Sequence, residues 1–123
     1  MKHIILVFLG GGVGSVLRFF ISKYLNSSAG GFPFGTFLAN VLGSLIIGIV
    51  LGLAIRNDTL SSNQTLFLAT GFCGGFTTFS AFAYENQVLL KSGDLTSFTV
   101  YTICSFVVAL LAVVLGLFVA KNF

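Results

Sequence analysis

The sequence predicts an all-α membrane protein with four transmembrane helices, the third of them broken. Three observations carry this reading. Mean hydropathy is +1.06 and only 7% of residues are charged, against about 25% in an ordinary soluble domain. Apolar runs of about 20 residues recur along the chain, the length a bilayer core demands. One of these runs is interrupted between Gly71 and Phe82, where the sequence reads GFCGGFTTFSAF. A chain of 123 residues holds about four spans with short loops and no soluble domain beside them. The formal charge of +3 is thinly spread, so nucleic acid is not an expected partner.

The first span is expected from about His3 to Leu25. Its N-terminal half has the look of a signal peptide, but no small-x-small cleavage site follows in a polar context, so it reads as a retained span. Gly10, Gly11, Gly12 and Gly14 followed by Ser15 form a small-residue run. Glycines four apart let a neighbouring helix approach closely. Arg18 lies about two turns before the span end. It either snorkels to the interface or lines an aqueous mouth. The loop from Asn26 to Gly35 holds Ser, Gly and Pro33, and reads as a turn.

The second span is expected from about Thr36 to Ile55. Thr36, Asn40 and Ser44 recur every four residues and so share one face. A single buried Asn is often interhelical glue; a stripe of three polar side chains favours a lined pathway. Gly43 and Gly48 permit close packing. After a short polar loop, Arg56 to Asn63, the third span runs from about Gln64 to Leu90. Gly71, Gly74 and Gly75 with Thr77 and Thr78 predict a helix break that frees backbone groups. Such breaks persist in a bilayer only where protein or a water-lined cavity satisfies them. Glu85, near the far end of this span, has three readings: it reaches the interface, pairs with Arg18, or sits at a pore mouth.

Lys91 to Asp94 forms a tight turn into the fourth span, expected from about Thr96 to Ala120. Tyr101 and Ser105 present hydroxyls on one face, with Thr102 beside them. Ala109, Ala112 and Gly116 continue as a packing face. Cys73 and Cys104 both fall inside spans and read as small apolar residues. No clustered Cys and His spacing suggests a metal. His3 is a lone terminal histidine with no expected role.

Four spans put both termini on one side, with Lys2, Arg56 and Lys121. Lys23, Lys91 and Arg18 fall on the other. Equal counts give no preferred orientation by the positive-inside rule. Insertion both ways would allow an antiparallel dual-topology dimer, equivalent to an inverted repeat. Four helices packed about their own centre leave no water-wide path, so a transport pathway would need an oligomer.

The segments GTFLANVLGS (Gly35 to Ser44) and GFCGGFTTFSAFAYE (Gly71 to Glu85) together resemble the Fluc/CrcB family of fluoride channels. The likeness extends over essentially the whole chain. It implies a passive fluoride channel in a bacterial inner or plasma membrane, built as an antiparallel homodimer with two pores. By this resemblance Phe79 and Phe82 line the pores, Asn40 donates to the anion, and Thr36, Tyr101 and Ser105 belong to the polar track. Arg18 and Glu85 match a family arginine and glutamate. A sodium ion at the dimer centre would be held by backbone carbonyls matching Gly74 and Thr77. One departure is Ala109, where the family track often carries a further hydroxyl. Pairing with a paralogous subunit is the variant of this expectation.

The chemistry fits that expectation. Fluoride is small and strongly hydrated, so a dry pore must replace its water. Asn40 and the hydroxyls of Thr36, Ser80, Tyr101 and Ser105 are uncharged donors, and aromatic edges are weakly positive. A channel needs binding that is neither too weak for entry nor too strong for exit. The main rival is a small dual-topology multidrug exporter, which needs a membrane-embedded carboxylate; the first span has none. A packing-only assembly protein would leave the Asn40 stripe and the break unused. No nucleophile–base pair, metal cluster or phosphate loop points to an enzyme.

Overall fold

A computed structural model describes residues 1–27, 30–56 and 59–122. Five helices are seen among them. α1 spans Lys2–Leu25 and α2 spans Phe34–Ile55. α3 covers residues 62–76 as a short α-turn Ser62–Thr65, a π-helical stretch Leu66–Cys73 and a last turn Gly74–Phe76. α4 is Phe79–Ser92 and α5 is Leu95–Asn122. α3 and α4 together make one interrupted span, Ser62–Ser92. Four helices in all, counting that pair once, are long and apolar enough to cross a membrane. Each expected span is present, and each runs one or two residues past at least one of its expected limits. The expected loops fall where they were placed; Ser28, Ala29, Asn57 and Asp58 within them lie outside the described residues.

The helix ends have local causes. Ser61 opens α3 with a capping box: its Oγ accepts from Gln64 N–H at 3.1 Å, and Gln64 Oε1 accepts from Ser61 N–H at 2.9 Å, satisfying two orphan donors. Thr78 caps α4 through Oγ1, which accepts from Ala81 N–H at 3.2 Å. α4 ends at Gly93, whose φ of +81° is the left-handed cap that glycine takes without strain.

Packing follows the small residues. α1 lies along α3 backbone to backbone. A Cβ added at Gly14 would overlap the Phe72 carbonyl oxygen and stand 2.8 Å from Phe76 N. α2 and α5 make the other close seam, where a Cβ at Gly116 would overlap Leu45 O and lie 2.9 Å from Gly48 Cα. In a bilayer, where lipid is as apolar as leucine, such approach supplies the van der Waals contact that holds helices together. A smaller apolar cluster joins α4 to α5 through Phe82, Leu89 and Tyr101, with Phe32, Phe37 and Phe98 packed on it. The outward faces of α1 and α5 are apolar and exposed, from Phe8 and Phe19 to Leu110 and Phe118, as a lipid-facing surface requires.

The break differs from the expected one in a specific way. Gly71, Gly74 and Gly75 remain helical, and none of them has a positive φ. The interruption falls after them, at Thr77 and Thr78, where the backbone turns extended. The glycines are used for approach instead: Gly71 and Gly75 face Gly10 and Gly11 of α1. The extra residue per turn in Leu66–Cys73 was not foreseen. π-helical insertions are frequent at functional sites, and this one leads directly into the interruption.

Candidate functional site

The two extended residues would leave bare backbone in the middle of a span, and the sequence supplies their partners from other helices. Asn40 on α2 clamps Thr78 from both sides. Its Oδ1 accepts from Thr78 N–H at 2.7 Å, and its Nδ2 donates to Thr78 O at 3.1 Å. Thr77 turns back on α3, where Cys73 O accepts from Thr77 N–H at 3.0 Å and from Thr77 Oγ1 at 2.8 Å. Gly75 O accepts from Arg18 Nε at 3.0 Å and from Ser15 Oγ at 3.4 Å. Among the described residues, no donor reaches the carbonyls of Gly74 and Thr77.

Beside the break lies an open-sided cavity of about 450 Å³. It brings together Asn40, Phe79, Phe82 and Ser105, four of the seven residues expected along an anion pathway, and also Gly74 and Thr77. Ser44, the third member of the α2 stripe, lines it too, as do Thr70 and Ala109. Its wall is mostly apolar, with a few polar atoms set into it. Phe82 is buried and Phe79 is 70% exposed, with ring centroids 5.6 Å apart. Phe82 meets Phe106 edge-on at 5.8 Å. Ser105 Oγ is buried without a hydrogen-bond partner, so one hydroxyl of this wall is uncommitted. Ala109, where a further hydroxyl was expected to be missing, does sit on the lining, leaving that part of α5 apolar.

The remaining expected residues lie elsewhere. Thr36 and Tyr101 are buried, and both donate to Glu85: Thr36 Oγ1 to Oε2 at 2.7 Å, Tyr101 OH to Oε1 at 2.8 Å. Asn26 Nδ2 donates to the same Oε2 at 3.3 Å. Glu85 is thus held by three neutral donors from α2, α5 and the end of α1. Of its three expected readings, pairing with Arg18 is not what the structure has, because Arg18 is used on Gly75 O. Ser80 is exposed, with its Oγ 3.2 Å from Thr78 Oγ1, and it does not line the cavity.

Asn26 was missed by sequence reasoning. Its Oδ1 accepts from Gly35 N–H at 2.7 Å and Thr36 N–H at 3.3 Å, so it caps α2 from across the loop while also holding Glu85. An asparagine just before a Ser- and Gly-rich loop reads as an ordinary turn residue, and only the fold brings α2 and α4 to it. The Asn40 stripe was legible as a polar face, but its members divide: Thr36 serves the Glu85 cluster, while Asn40 and Ser44 serve the cavity. Ser44 Oγ itself donates to Asn40 O at 2.7 Å. Asn86 Oδ1 and Thr102 Oγ1 are buried without partners, on the same hairpin of α4 and α5.

Known proteins share this sequence over most of its length. The family model described as "CrcB-like protein, Camphor Resistance (CrcB)" matches residues 5–117. A protein of Azobacteroides pseudotrichonymphae named "Fluoride-specific ion channel FluC" is 41% identical, with 100% of this chain and 99% of the relative covered. A protein of the same name from Phocaeicola vulgatus is 46% identical over 98% of this chain and 100% of its own length. Another, from Prosthecochloris aestuarii, is 44% identical over 96% of this chain and 92% of its own. The relatives carry the name of an ion channel, in keeping with the absence of enzyme motifs expected from the sequence.

Proposed function

The chain belongs to the CrcB family, and from that premise we propose that it is a fluoride-selective channel carrying the ion passively out of the cell. The observation that supports this most is one cavity lined at once by Asn40, Phe79, Phe82 and Ser105. Those are uncharged donors and aromatic rings set in an apolar wall. In a low-dielectric site a small anion gains from each donor, and among the described residues no charged side chain lines the cavity to trap it. The Asn40 amide has two N–H donors. One is spent on Thr78 O, and the other is the one that would face a passing ion. Ser105 Oγ, buried and unpartnered, is the second donor. Phe79 and Phe82 would turn their positive edges toward the anion.

In this reading two copies associate in opposite orientations, as the balanced charges allow, and the open side of each cavity is closed by the partner. The second copy is the same chain or a paralogue. The membrane is the bacterial inner or plasma membrane. A sodium ion fits the backbone of the break. Gly74 and Thr77 offer hard carbonyl oxygens to which no described residue donates, and such oxygens suit a hard monovalent cation. When bound, the ion supplies positive charge at the interface and holds it together, without turnover. The Thr77 N–H and hydroxyl both turn away to Cys73 O.

The test is efflux from liposomes holding the purified protein, read with a fluoride electrode and a chloride control. Rapid fluoride release without chloride release, lost in Asn40→Ala and Phe82→Ala, is the expected result. Equal release of both ions, or a folded protein with no fluoride release, would overturn it.

A further inference from the structure

The break has a polarity that the cavity alone does not explain. α3 stops at Phe76 with its last carbonyls unpaired within the helix, the negative end of its dipole. Among the described residues, one charged side chain meets that end. Arg18 Nε donates to Gly75 O at 3.0 Å. A charged group inside a span is costly and is usually matched to a partner or to water; here the partner is a backbone oxygen and not a carboxylate. Around this bond α1 and α3 touch through backbone. A Cβ at Gly75 would overlap Gly11 O, and one at Gly14 would overlap Phe72 O. Apart from the longer Ser15 contact at 3.4 Å, Arg18 is the side chain that ties the last turn of α3 to α1.

We propose that Arg18 is a positioning residue for the break. By holding Gly75 O against α1 it fixes the turn whose Gly74 and Thr77 line the cavity, and it keeps Thr78 within reach of the Asn40 clamp. The proposal rests on the break as the conducting region. The positioning is assigned to the hydrogen bond, which a neutral donor of the same reach can replace. A glutamine places its amide nitrogen the same number of bonds from the backbone as arginine places Nε.

The test compares Arg18→Gln with Arg18→Met in the Cys104→Ser background, in membranes. Cys73 is 2% exposed and sits at the end of the π-helical stretch, one turn before the break, so a maleimide reports loosening there. Losing one hydrogen bond raises local opening by a factor of about five or more. Arg18→Met is expected to label at Cys73 at least about fivefold faster and to slow fluoride efflux by a similar factor, whereas Arg18→Gln stays near the wild-type labelling rate and recovers most of the flux. Unchanged labelling in Arg18→Met overturns the proposal. So does Arg18→Gln labelling as fast as Arg18→Met, which would assign the effect to charge. If Arg18→Met does not fold, Arg18→Gln against the unsubstituted protein decides alone: a wild-type labelling rate supports the proposal and a faster one overturns it. If the unsubstituted protein releases no fluoride, the channel reading fails, and the labelling rates still decide whether Arg18 positions the break.

Discussion

Asn40 shows how one side chain makes an interrupted helix tolerable in lipid. Two hydrogen bonds pin the Thr78 N–H and C=O, groups that would otherwise be bare mid-span. Asn40→Ala is expected to lower stability by about 1–3 kcal/mol, the sum of two ordinary hydrogen bonds with the cost of leaving their partners unsatisfied. Thermal unfolding in detergent checks it. Glu85 gives a second test. Its carboxylate accepts from Thr36, Tyr101 and Asn26; Glu85→Gln sets an NH₂ among donors and should cost about 1–3 kcal/mol. A Glu85→Gln protein as stable as the parent in the same melt would mean that the cluster re-forms around the amide. At this scale the sequence was partly legible. Asn40, Phe79, Phe82 and Ser105 were expected at one site and do line one cavity. Thr36 and Tyr101 were expected with them and turn instead to Glu85, because a four-residue spacing fixes the face of a helix but not what lies opposite each turn.

Among the elements, α1 and α3 show packing decided by absent side chains. Gly14→Ala should force the two helices apart, since its Cβ overlaps Phe72 O, whereas Gly12 meets nothing within 4 Å. Overpacking of this kind costs about 1–3 kcal/mol. The expected outcome is a clear drop in melting temperature for Gly14→Ala and little change for Gly12→Ala, although both glycines belong to the same run. Sequence alone could say that this run packs; it could not say which glycines face α3. The same limit explains the break. Glycines at 71, 74 and 75 marked the right segment, but the chain turns at Thr77 and Thr78, where a threonine cap and an asparagine clamp from another helix make extended backbone satisfiable. Helical glycine needs only a close neighbour, and α1 supplied one.

For the whole molecule, composition and run length sufficed to give four spans, since hydropathy needs no tertiary information. The balance of basic residues belongs to this scale as well. If the chain inserts in both orientations, tags at the C-terminus should be found on both sides of the membrane. Adding two lysines to the turn that follows α4, next to Lys91, should drive a single orientation, and should reduce fluoride release from cells expressing that variant alone. Co-expression with a variant biased the other way should restore release. One orientation for the parent protein would refute the antiparallel reading.

The cavity beside the break is a trough, open along one side. A trough cannot insulate a permeating ion from hydrocarbon, where an unpaired charge costs many kcal/mol. If the trough is the conducting path, a lone chain is expected to be silent, however well folded. Its output should follow a dilution law: spread through enough lipid, activity per molecule falls with surface density, as for any device assembled from two encounters in a plane.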